Sequence, residues 1–572
     1  MIKFISRRVA VVLVAALLAS PAPQALAATE APRPGATTAG NYLAGRHAQA
    51  VREMASAIAF YAAVLAREPD NPDLLRRAFV IYLAEGRIAD ALALAPRLPK
   101  EDAARIGYPE FLAAADAIKR GRFADAVTRL AALEPEGISA LVVPLLTAWA
   151  EAGRGERAAT VAVLGRLGGK EGIEPFRELH GALIADVAGD TAAAETGMRK
   201  LADEDGGPTV RVAILLGNLY ERTGERAKAQ AVYDSFLKRS PDSRLLDEAM
   251  RRIAARAAPP KPEVGTAAEG AAEAMLGLAG IFRQQNVRET GHLLVRLALH
   301  LRPDFPAAQV LLADMLEADR RYADANAAYA AIAPASALHR ATRTRIAANL
   351  NRMDRSDEAV AMLEALAKAD AKDPEPLIHL GDILRGLKKF KEAANAYDRA
   401  IERMETLERR HWPLLYSRAI ALERSDQWPR AEADFLKALE FEPEQPYVLN
   451  YLGYSWVEKR LNLERATDMI RRAVALRPND GYIVDSLGWV HYQLGDYQAA
   501  VGELERAVEL RPEDPVLNDH LGDAFWRVGR RAEARFQWER ALGLKPEPDL
   551  IETLQKKLKE GLPDVPTAGR GG

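Results

Sequence analysis

The sequence predicts an all-α protein, an α-solenoid built from about 14 helix–turn–helix units, on the evidence of regularly spaced small residues and prolines. Three sets recur every 34 residues: Ala466, Ala500 and Ala534; Ala473, Ala507 and Ala541; Pro478, Pro512 and Pro546. A small residue lets two helices approach closely, and a proline cannot continue a helix. Their recurrence in step indicates one helical hairpin repeated many times, with each hairpin covering the apolar face of its neighbour.

The small residue that opens the second helix of each hairpin can be followed along most of the chain. It defines 14 candidate units at Ala57, Ala91, Ala126, Ala158, about Ala193, Ala229, Gly291, Ala325, Ala359, Ala393, Ala431, Ala466, Ala500 and Ala534. One wide interval, between Ala229 and Gly291, contains three helix-breaking prolines at 259, 260 and 262. We therefore expect a break in the array at this point.

Composition and periodicity predict six segments. They are a cleaved signal peptide (1–27), a flexible leader (28–40), an amino-terminal array (41–256), a linker rich in Pro, Gly and Ala (257–270), a carboxy-terminal array (271–560) and a disordered tail (561–572). Two arrays would offer two separate surfaces, so the layout suggests that two partners could bind at once.

The first residues have the pattern of an export signal. Lys3, Arg7 and Arg8 precede an apolar run over 9–19, and the small-residue triplet at 25–27 predicts cleavage after Ala27. The apolar run is shorter than the roughly 20 residues that span a bilayer. The sequence thus predicts an exported, periplasmic protein and leaves the choice between the Sec and twin-arginine routes open.

Composition and motifs argue against several functions. The chain has no cysteine, which excludes disulfides and a lipid anchor at a cysteine, and no later apolar run predicts a membrane span. With 78 basic and 80 acidic residues it lacks the concentrated positive charge that nucleic-acid binding requires. The nine histidines are dispersed, and no nucleophile or phosphate-loop motif occurs. We predict no catalytic, cofactor or metal residue, and we interpret the glycines at 153–158 as a hairpin turn.

Several units resemble a known repeat consensus. The matching positions are Leu216, Gly217, Tyr220, Gly224, Ala229, Tyr233 and Pro241, then Leu380, Gly381, Ala393, Tyr397 and Ala400, then Leu487, Gly488, Gly495, Ala500, Ala507 and Pro512. This pattern resembles the tetratricopeptide repeat (TPR). Segments such as LNYLGYSW at 449–456 and DSLGWVHYQLGDYQAA at 485–500 also resemble exported proteobacterial TPR proteins. That group includes a lipoprotein adaptor of a carboxyl-terminal processing protease, although this chain lacks the lipid-attachment cysteine.

The resemblance also implies a binding surface. In TPR families the first helix of each hairpin lines the concave face and contacts a protein or peptide ligand. Transferred to this sequence, the candidate protein-binding residues are Tyr447, Asn450, Tyr454, Tyr482, Asp485, Trp489, Tyr492, Asp519 and Asp523. The three aspartates would favour a basic segment of the partner. We expect Tyr451, Tyr497, Trp456, Trp526 and Trp538 to pack within the solenoid.

These observations favour a scaffold or adaptor that recruits partner proteins in envelope maintenance, including a processing protease and cell-wall hydrolases. Two alternatives remain open: a structural component of a secretion, polysaccharide-export or envelope-assembly complex, and, as the weakest, a cell-wall hydrolase. The sequence does not identify the partners, the pathway or the oligomeric state.

Overall fold

A computed structural model describes residues 33–99, 107–168, 172–203, 206–241 and 243–563. Within these ranges the regular structure is helical, with 30 α-helices, three short 3-10 helices and no strand. The predicted all-α fold class is therefore confirmed. The predicted signal peptide, 1–27, lies outside the described residues.

The chain divides into two compact units between Arg340 and Ala341. The helices of the first unit are α1 (Thr38–Ala50), α2 (Met54–Leu65), α3 (Pro72–Ala84), α4 (Ile88–Leu94), α5 (Tyr108–Lys119), α6 (Phe123–Ala131), α7 (Ser139–Arg154), α8 (Arg157–Gly165), α9 (Glu174–Val187), α10 (Thr191–Ala202), α11 (Val210–Arg222), α12 (Arg226–Leu237), α13 (Asp247–Ala254), α14 (Ala267–Gln284), α15 (Arg288–Leu301), α16 (Pro306–Ala318) and α17 (Tyr322–Ala330).

Thirteen further helices complete the chain. The first of them, α18, contains the boundary between the units, and the others belong to the second unit: α18 (His339–Arg352), α19 (Ser356–Ala369), α20 (Glu375–Gly386), α21 (Phe390–Glu402), α22 (Trp412–Glu423), α23 (Trp428–Phe441), α24 (Pro446–Glu458), α25 (Leu463–Leu476), α26 (Gly481–Gln493), α27 (Tyr497–Leu510), α28 (Pro515–Arg527), α29 (Arg531–Gly543) and α30 (Pro548–Glu560).

Consecutive helices pack as hairpins, and the small residue of each second helix is buried at the contact. Twelve of the 14 predicted positions are fully buried in this way, from Ala57 to Ala534. The fourth and fifth need correction, because Ala158 is exposed and the buried residues are Thr160 and Ala194. The corrected register keeps a spacing of 34 or 35 residues through the first six hairpins.

A glycine in the first helix often faces a large side chain of the second. Gly381 lies against the ring of Tyr397, and a Cβ atom added there would collide with that ring. Gly522 meets Trp538 in the same way, at a site where the indole is fully buried. The Leu-Gly pairs of the sequence thus mark places where a bulky residue fills the space between two close backbones.

Each of the 14 hairpin turns contains a residue with positive φ shortly before the second helix begins, and the turn between α24 and α25 contains two, Arg460 and Asn462. In seven turns this residue is a glycine, including Gly155 with φ of 79°, so the predicted hairpin turn lies at 155–156 between α7 and α8. In the other seven turns the residues carry side chains, among them Arg320 with φ of 59°. A left-handed backbone is unfavourable for such residues, so these turns hold local strain.

The hairpin of α14 and α15 does not extend the array of the first unit but packs across it. Helix α14 contacts α5, α7 and α9, while α15 contacts α3 and α5. All four contacted helices are first helices of their hairpins. We define the first-helix face as the surface formed by the first helices of successive hairpins. In the first unit this face is covered over α3, α5, α7 and α9 by the chain itself.

Complementary side chains hold this hairpin in place. Gly270 and Gly277 of α14 lie against the rings of Trp149 and Phe176, leaving no room for a Cβ atom. Charge pairing continues the contact, because Arg211 binds both Glu263, at 2.9 Å, and Glu273. The Arg211 side chain is mostly buried, and the two carboxylates raise its pKa against the opposing effect of burial.

The predicted linker at 257–270 therefore needs correction in part. Residues 257–266 form no helix, but 267–270 are the first turn of α14. The non-helical part is held against α11, since the Asn218 amide donates a hydrogen bond of 2.8 Å to the carbonyl of Lys261 and Val264 is buried. The segment lies inside the first unit and does not separate the two units.

The predicted ends also differ from the structure where it describes them. In the leader, Thr38–Gly40 already belong to α1, and Asn41 bonds the backbone of Gly35. In the tail, the carbonyls of Leu562 and Pro563 accept hydrogen bonds from α28. The remaining tail residues, 564–572, lie outside the described part of the chain.

Candidate functional site

A cavity of about 330 Å³ opens on the first-helix face of the second unit, between α24, α26 and α28. It contains four of the nine candidate residues. Its lining consists of Asn450, Tyr451, Tyr454, Tyr482, Asp485, Ser486, Asp514, Val516, Leu517 and His520.

The repeat itself brings these residues together. Asn450, Asp485 and Asp519 occupy equivalent positions in α24, α26 and α28, and the next residue along each helix is Tyr451, Ser486 or His520. The second position of each helix is exposed, with 41% of Tyr447, 50% of Tyr482 and 43% of Val516 accessible to solvent. The resulting exposed apolar row has Tyr482 and Val516 at the cavity mouth, whereas Tyr447 lies outside the lining.

Side-chain caps fix the start of each of these helices. The side chains of Gln445, Asp480 and Asp514 accept hydrogen bonds from backbone N–H groups of the first helical turn. Asp514 also accepts a hydrogen bond of 3.1 Å from the hydroxyl of Tyr482 in the preceding repeat. A cap of this kind stabilises a helix by about 1 kcal/mol, so the backbone that carries the residues at the cavity mouth is well fixed.

An aromatic stack forms one side of the site. The Trp489 ring is parallel to that of Tyr492, with centroids 4.7 Å apart and an angle of 7°, and it stacks on His520 at 4.0 Å. The indole N–H of Trp489 donates a hydrogen bond of 2.7 Å to Glu458. Trp489 and Tyr492 are candidate residues that flank the cavity without lining it.

Asp485 and His520 form a pair across two repeats. The His520 Nδ1 lies 3.1 Å and 3.0 Å from the two carboxylate oxygens of Asp485, and both side chains are close to fully buried. Burial alone would lower the pKa of His520, but the charge and hydrogen bond of Asp485, with the charges of Asp519 and Asp523, raise it. The imidazole therefore favours its protonated form more than a free histidine does.

Asp519 and Asp523 are not available in the way the sequence predicts. The Lys557 ammonium of α30 lies 2.7 Å from Asp519 and 2.8 Å from Asp523, and all three side chains are buried. Burial and the charge of Asp519 raise the pKa of Asp523 to about 6, while Lys557 opposes that rise. The expectation that these two aspartates attract a basic partner segment is therefore corrected, because the last helix already supplies their cation.

Tyr454 and Tyr451 both line the cavity from helix α24. Burial and the charges of Glu458 and Asp485 raise the pKa of Tyr454, so its hydroxyl stays protonated at neutral pH. Tyr451 packs on Phe435 with centroids 5.2 Å apart, as expected of a solenoid residue, yet it also lines the cavity. The prediction of packing alone for Tyr451 is therefore incomplete. The buried rings of Trp456 and Trp538 are confirmed as packing residues.

The sequence prediction missed six lining residues. They are Tyr451, Ser486, Asp514, Val516, Leu517 and His520. The signal for three of them was present, because Tyr451, Ser486 and His520 each follow a candidate residue at the same repeat position. Asp514 is the N-cap of α28, and Val516 and Leu517 belong to its first turn. The approach of these residues to α26 depends on how closely two repeats pack.

The described ranges were also compared with the requirements of a metal site and of a membrane span. No group of His, Asp and Glu side chains there could hold a metal ion. Every helix in those ranges is also too short or too polar to cross a bilayer.

Comparison with known proteins identifies the repeats. Tetratricopeptide repeat models match residues 44–115, 210–243, 349–404 and 459–515. The chain contains tetratricopeptide repeats. Such repeats typically form non-catalytic scaffolds that bind other proteins, so a role in protein–protein interaction follows for this chain at that general level.

Individual similarities are more limited. The chain is 33% identical over 82 residues to the TPR repeat-containing protein PA4667 of Pseudomonas aeruginosa, a match that spans 14% of each protein. A solved structure of the APC/C hetero-tetramer Cut9–Hcn1 is 15% identical, with a TM-score of 0.38, over 92% of this chain and 97% of that one. Yeast Tom70 is 15% identical, with a TM-score of 0.33, over 91% and 95% of the two chains.

Proposed function

We propose that this protein is an exported adaptor that holds a partner protein on the first-helix face of its second unit. The observation that carries the proposal is the cavity with three tyrosines in its lining, two of them behind an exposed rim at Tyr482 and Val516. Aromatic side chains supply large, stiff contact area and dominate many protein interfaces. The tetratricopeptide repeats of the chain, one match of which spans 459–515, agree with a scaffold role.

The first unit differs from the second at the first-helix face, and this difference supports placing the binding site on the second unit. In the first unit this face is covered by α14 and α15, so the same helices that could bind a partner there already bind the chain itself. We therefore place the binding face on the second unit, and a second partner of the first unit would have to use another of its surfaces.

Export and the kind of partner are part of the proposal. The basic, apolar and small-residue segments of 1–27 support export through the inner membrane. The resemblance to exported TPR proteins makes a carboxyl-terminal processing protease and cell-wall hydrolases the first partners to test. Fractionation of cells, with mass spectrometry of the amino terminus, should find the protein in the periplasm starting at Ala28.

Position-specific photo-crosslinking tests the binding face. A benzophenone amino acid placed at Tyr482 should give a discrete adduct with another protein in intact cells. The matched control is Phe536, an aromatic residue of the second helix α29 that is 61% exposed. Adducts at both positions, or at Phe536 alone, would contradict the proposal. Purification of the uncrosslinked protein in a fixed, stoichiometric complex would favour the alternative of a structural component.

A further inference from the structure

The cavity presents hydrogen-bond acceptors and aromatic rings, and the one basic side chain in its lining, His520, is paired with Asp485. Among its ten lining residues are two carboxylates, one imidazole and three tyrosines, and none is a lysine or an arginine. A ligand with an acidic group would meet the charges of Asp485 and Asp514. A ligand that only donates hydrogen bonds and carries positive charge matches this lining.

Two acceptors in the lining have capacity left. Asp485 receives the Nδ1 of His520, and a carboxylate has about four lone-pair positions, so it can accept further donors. Asn450 lies beside it, and its Oδ1 is buried without a hydrogen-bond donor in the described part of the chain. A buried acceptor that lacks a donor is unfavourable, and a ligand that donates a hydrogen bond to it would remove that cost.

The chain already places guanidinium groups on tyrosines of this row. Arg511 lies over the ring of Tyr482, 5.4 Å from its centroid, and Arg477 lies over Tyr447 at 6.0 Å in the preceding repeat. Both contacts fall within the range of cation–π interactions. The rings of Tyr447 and Tyr482 are therefore accessible to stacking by a planar cation.

We infer that the cavity binds an arginine side chain of the partner polypeptide, with the guanidinium donating to Asp485 and Asn450 between the tyrosine rings. This inference rests on the proposed function. Arginine suits the site better than lysine, because its planar group stacks on rings and offers several donors at once. The volume of about 330 Å³ is at the small end of ligand sites, which agrees with one side chain entering while the partner backbone crosses the rim.

Short peptides test the inference on the full chain. The probes are fluorescein-labelled Ala-Ala-Arg-Ala-Ala and its citrulline analogue, which keeps the shape of arginine but not its charge, measured by fluorescence anisotropy at pH 8. The arginine peptide should bind at least tenfold more tightly than the citrulline peptide. Equal affinities, or no binding of either at millimolar protein concentration, would overturn the inference.

Two variants separate charge recognition from damage to the fold. Asp485→Asn should weaken the arginine peptide about tenfold, whereas His520→Gln should strengthen it several-fold because it removes the competing imidazole. Both variants break the same internal pair, so a loss of binding in both would overturn the inference. Asp468→Asn, at an exposed aspartate of α25, is the control and should change nothing.

The inference can fail without the proposed function. Crosslinks at Tyr482 would then persist, and replacing every arginine of the crosslinked partner segment by a neutral residue would leave the affinity of that segment unchanged. This result would show that the face binds a partner but that the cavity does not recognise arginine. Light scattering tests whether a second copy of this chain occupies the face instead. A dimer of this chain that Tyr482→Ala dissociates would assign the face to a second copy and would overturn the inference.

Discussion

Arg321 and Glu85 are joined by two hydrogen bonds of 2.7 Å each, although 236 residues separate them in the sequence. Arg321 stands just before α17, and Glu85 follows the last residue of α3. Close by, the Arg296 guanidinium donates a hydrogen bond of 2.7 Å to the carbonyl of Ala84. These contacts tie the beginning of the first unit to its end through the hairpin that covers its first-helix face.

Breaking this pair should destabilise the first unit. The side chains of Arg321 and Glu85 are only 13% and 14% exposed, so Glu85→Gln should lower the free energy of unfolding by about 1–3 kcal/mol. Urea denaturation measures the change. The exposed pair of Arg87 and Asp90 provides the control, because Asp90→Asn should cost no more than about 0.5 kcal/mol. Equal losses of unfolding free energy in the two variants would show that the long-range pair stabilises the unit no more than the exposed pair does.

The glycine of a first helix should not tolerate a methyl group. In Gly488→Ala the new Cβ atom would lie 2.6 Å from Cγ of Leu504, which should cost about 1–3 kcal/mol through displaced packing. Gly502 of α27 has nothing within 4 Å of the same position, and Gly502→Ala should stabilise the helix by roughly 0.5–1 kcal/mol. Thermal unfolding of both variants gives opposite shifts if the packing argument is right.

One strained turn should be improved by glycine. Arg320 has φ of 59° between α16 and α17, and Arg320→Gly should raise the free energy of unfolding by about 0.5–1 kcal/mol because it relieves the left-handed strain. Arg320→Ala removes the same side chain but keeps the Cβ atom, so it should leave stability almost unchanged. A gain in the alanine variant of the same size would mean that the guanidinium, and not the backbone, was unfavourable.

Acid should weaken the first unit through one histidine. His180 accepts a hydrogen bond of 3.2 Å from the indole N–H of Trp149, and burial lowers the pKa of His180 to about 3. The unfolded chain then binds a proton at a pKa near 6.5 that the folded chain does not bind. Stability is therefore full above that value and is lost as the pH falls through it toward 3, by about 2 kcal/mol at pH 5.

His180→Gln checks this effect, since glutamine can accept the Trp149 hydrogen bond but does not titrate. The variant should lose less stability than the native chain between pH 7.5 and pH 5. Tryptophan fluorescence during urea unfolding follows the change. An identical pH dependence in both proteins would assign the acid sensitivity to other groups.

Local pattern was enough to predict the hairpins. A residue such as Ala500 of α27 is buried because the first helix of its own hairpin, α26, lies against α27, and that contact spans few residues of sequence. The same argument placed Asn450 and Asp485 on one face, because equivalent positions of successive repeats are neighbours in space. Repeats make long-range structure readable from short-range spacing.

Contacts between residues that are not related by the repeat could not be predicted from its spacing. The fit of Gly270 against Trp149 joins residues from hairpins far apart in the chain, and no periodicity relates them. Likewise, Lys557 stands in the last helix, where a charged turn looks solvated, but it is buried between Asp519 and Asp523. Both outcomes depend on side-chain complementarity, which a single sequence shows only as isolated glycines or charges.

The hairpin of α14 and α15 decides where this chain can be cut. A fragment that stops at residue 256 would leave the apolar surfaces of Trp149 and Phe176 without the helix that covers them. Such a fragment should aggregate or bind other proteins indiscriminately, and its behaviour would say little about the native chain. Truncations meant to isolate the amino-terminal half need to retain the residues through the end of α17.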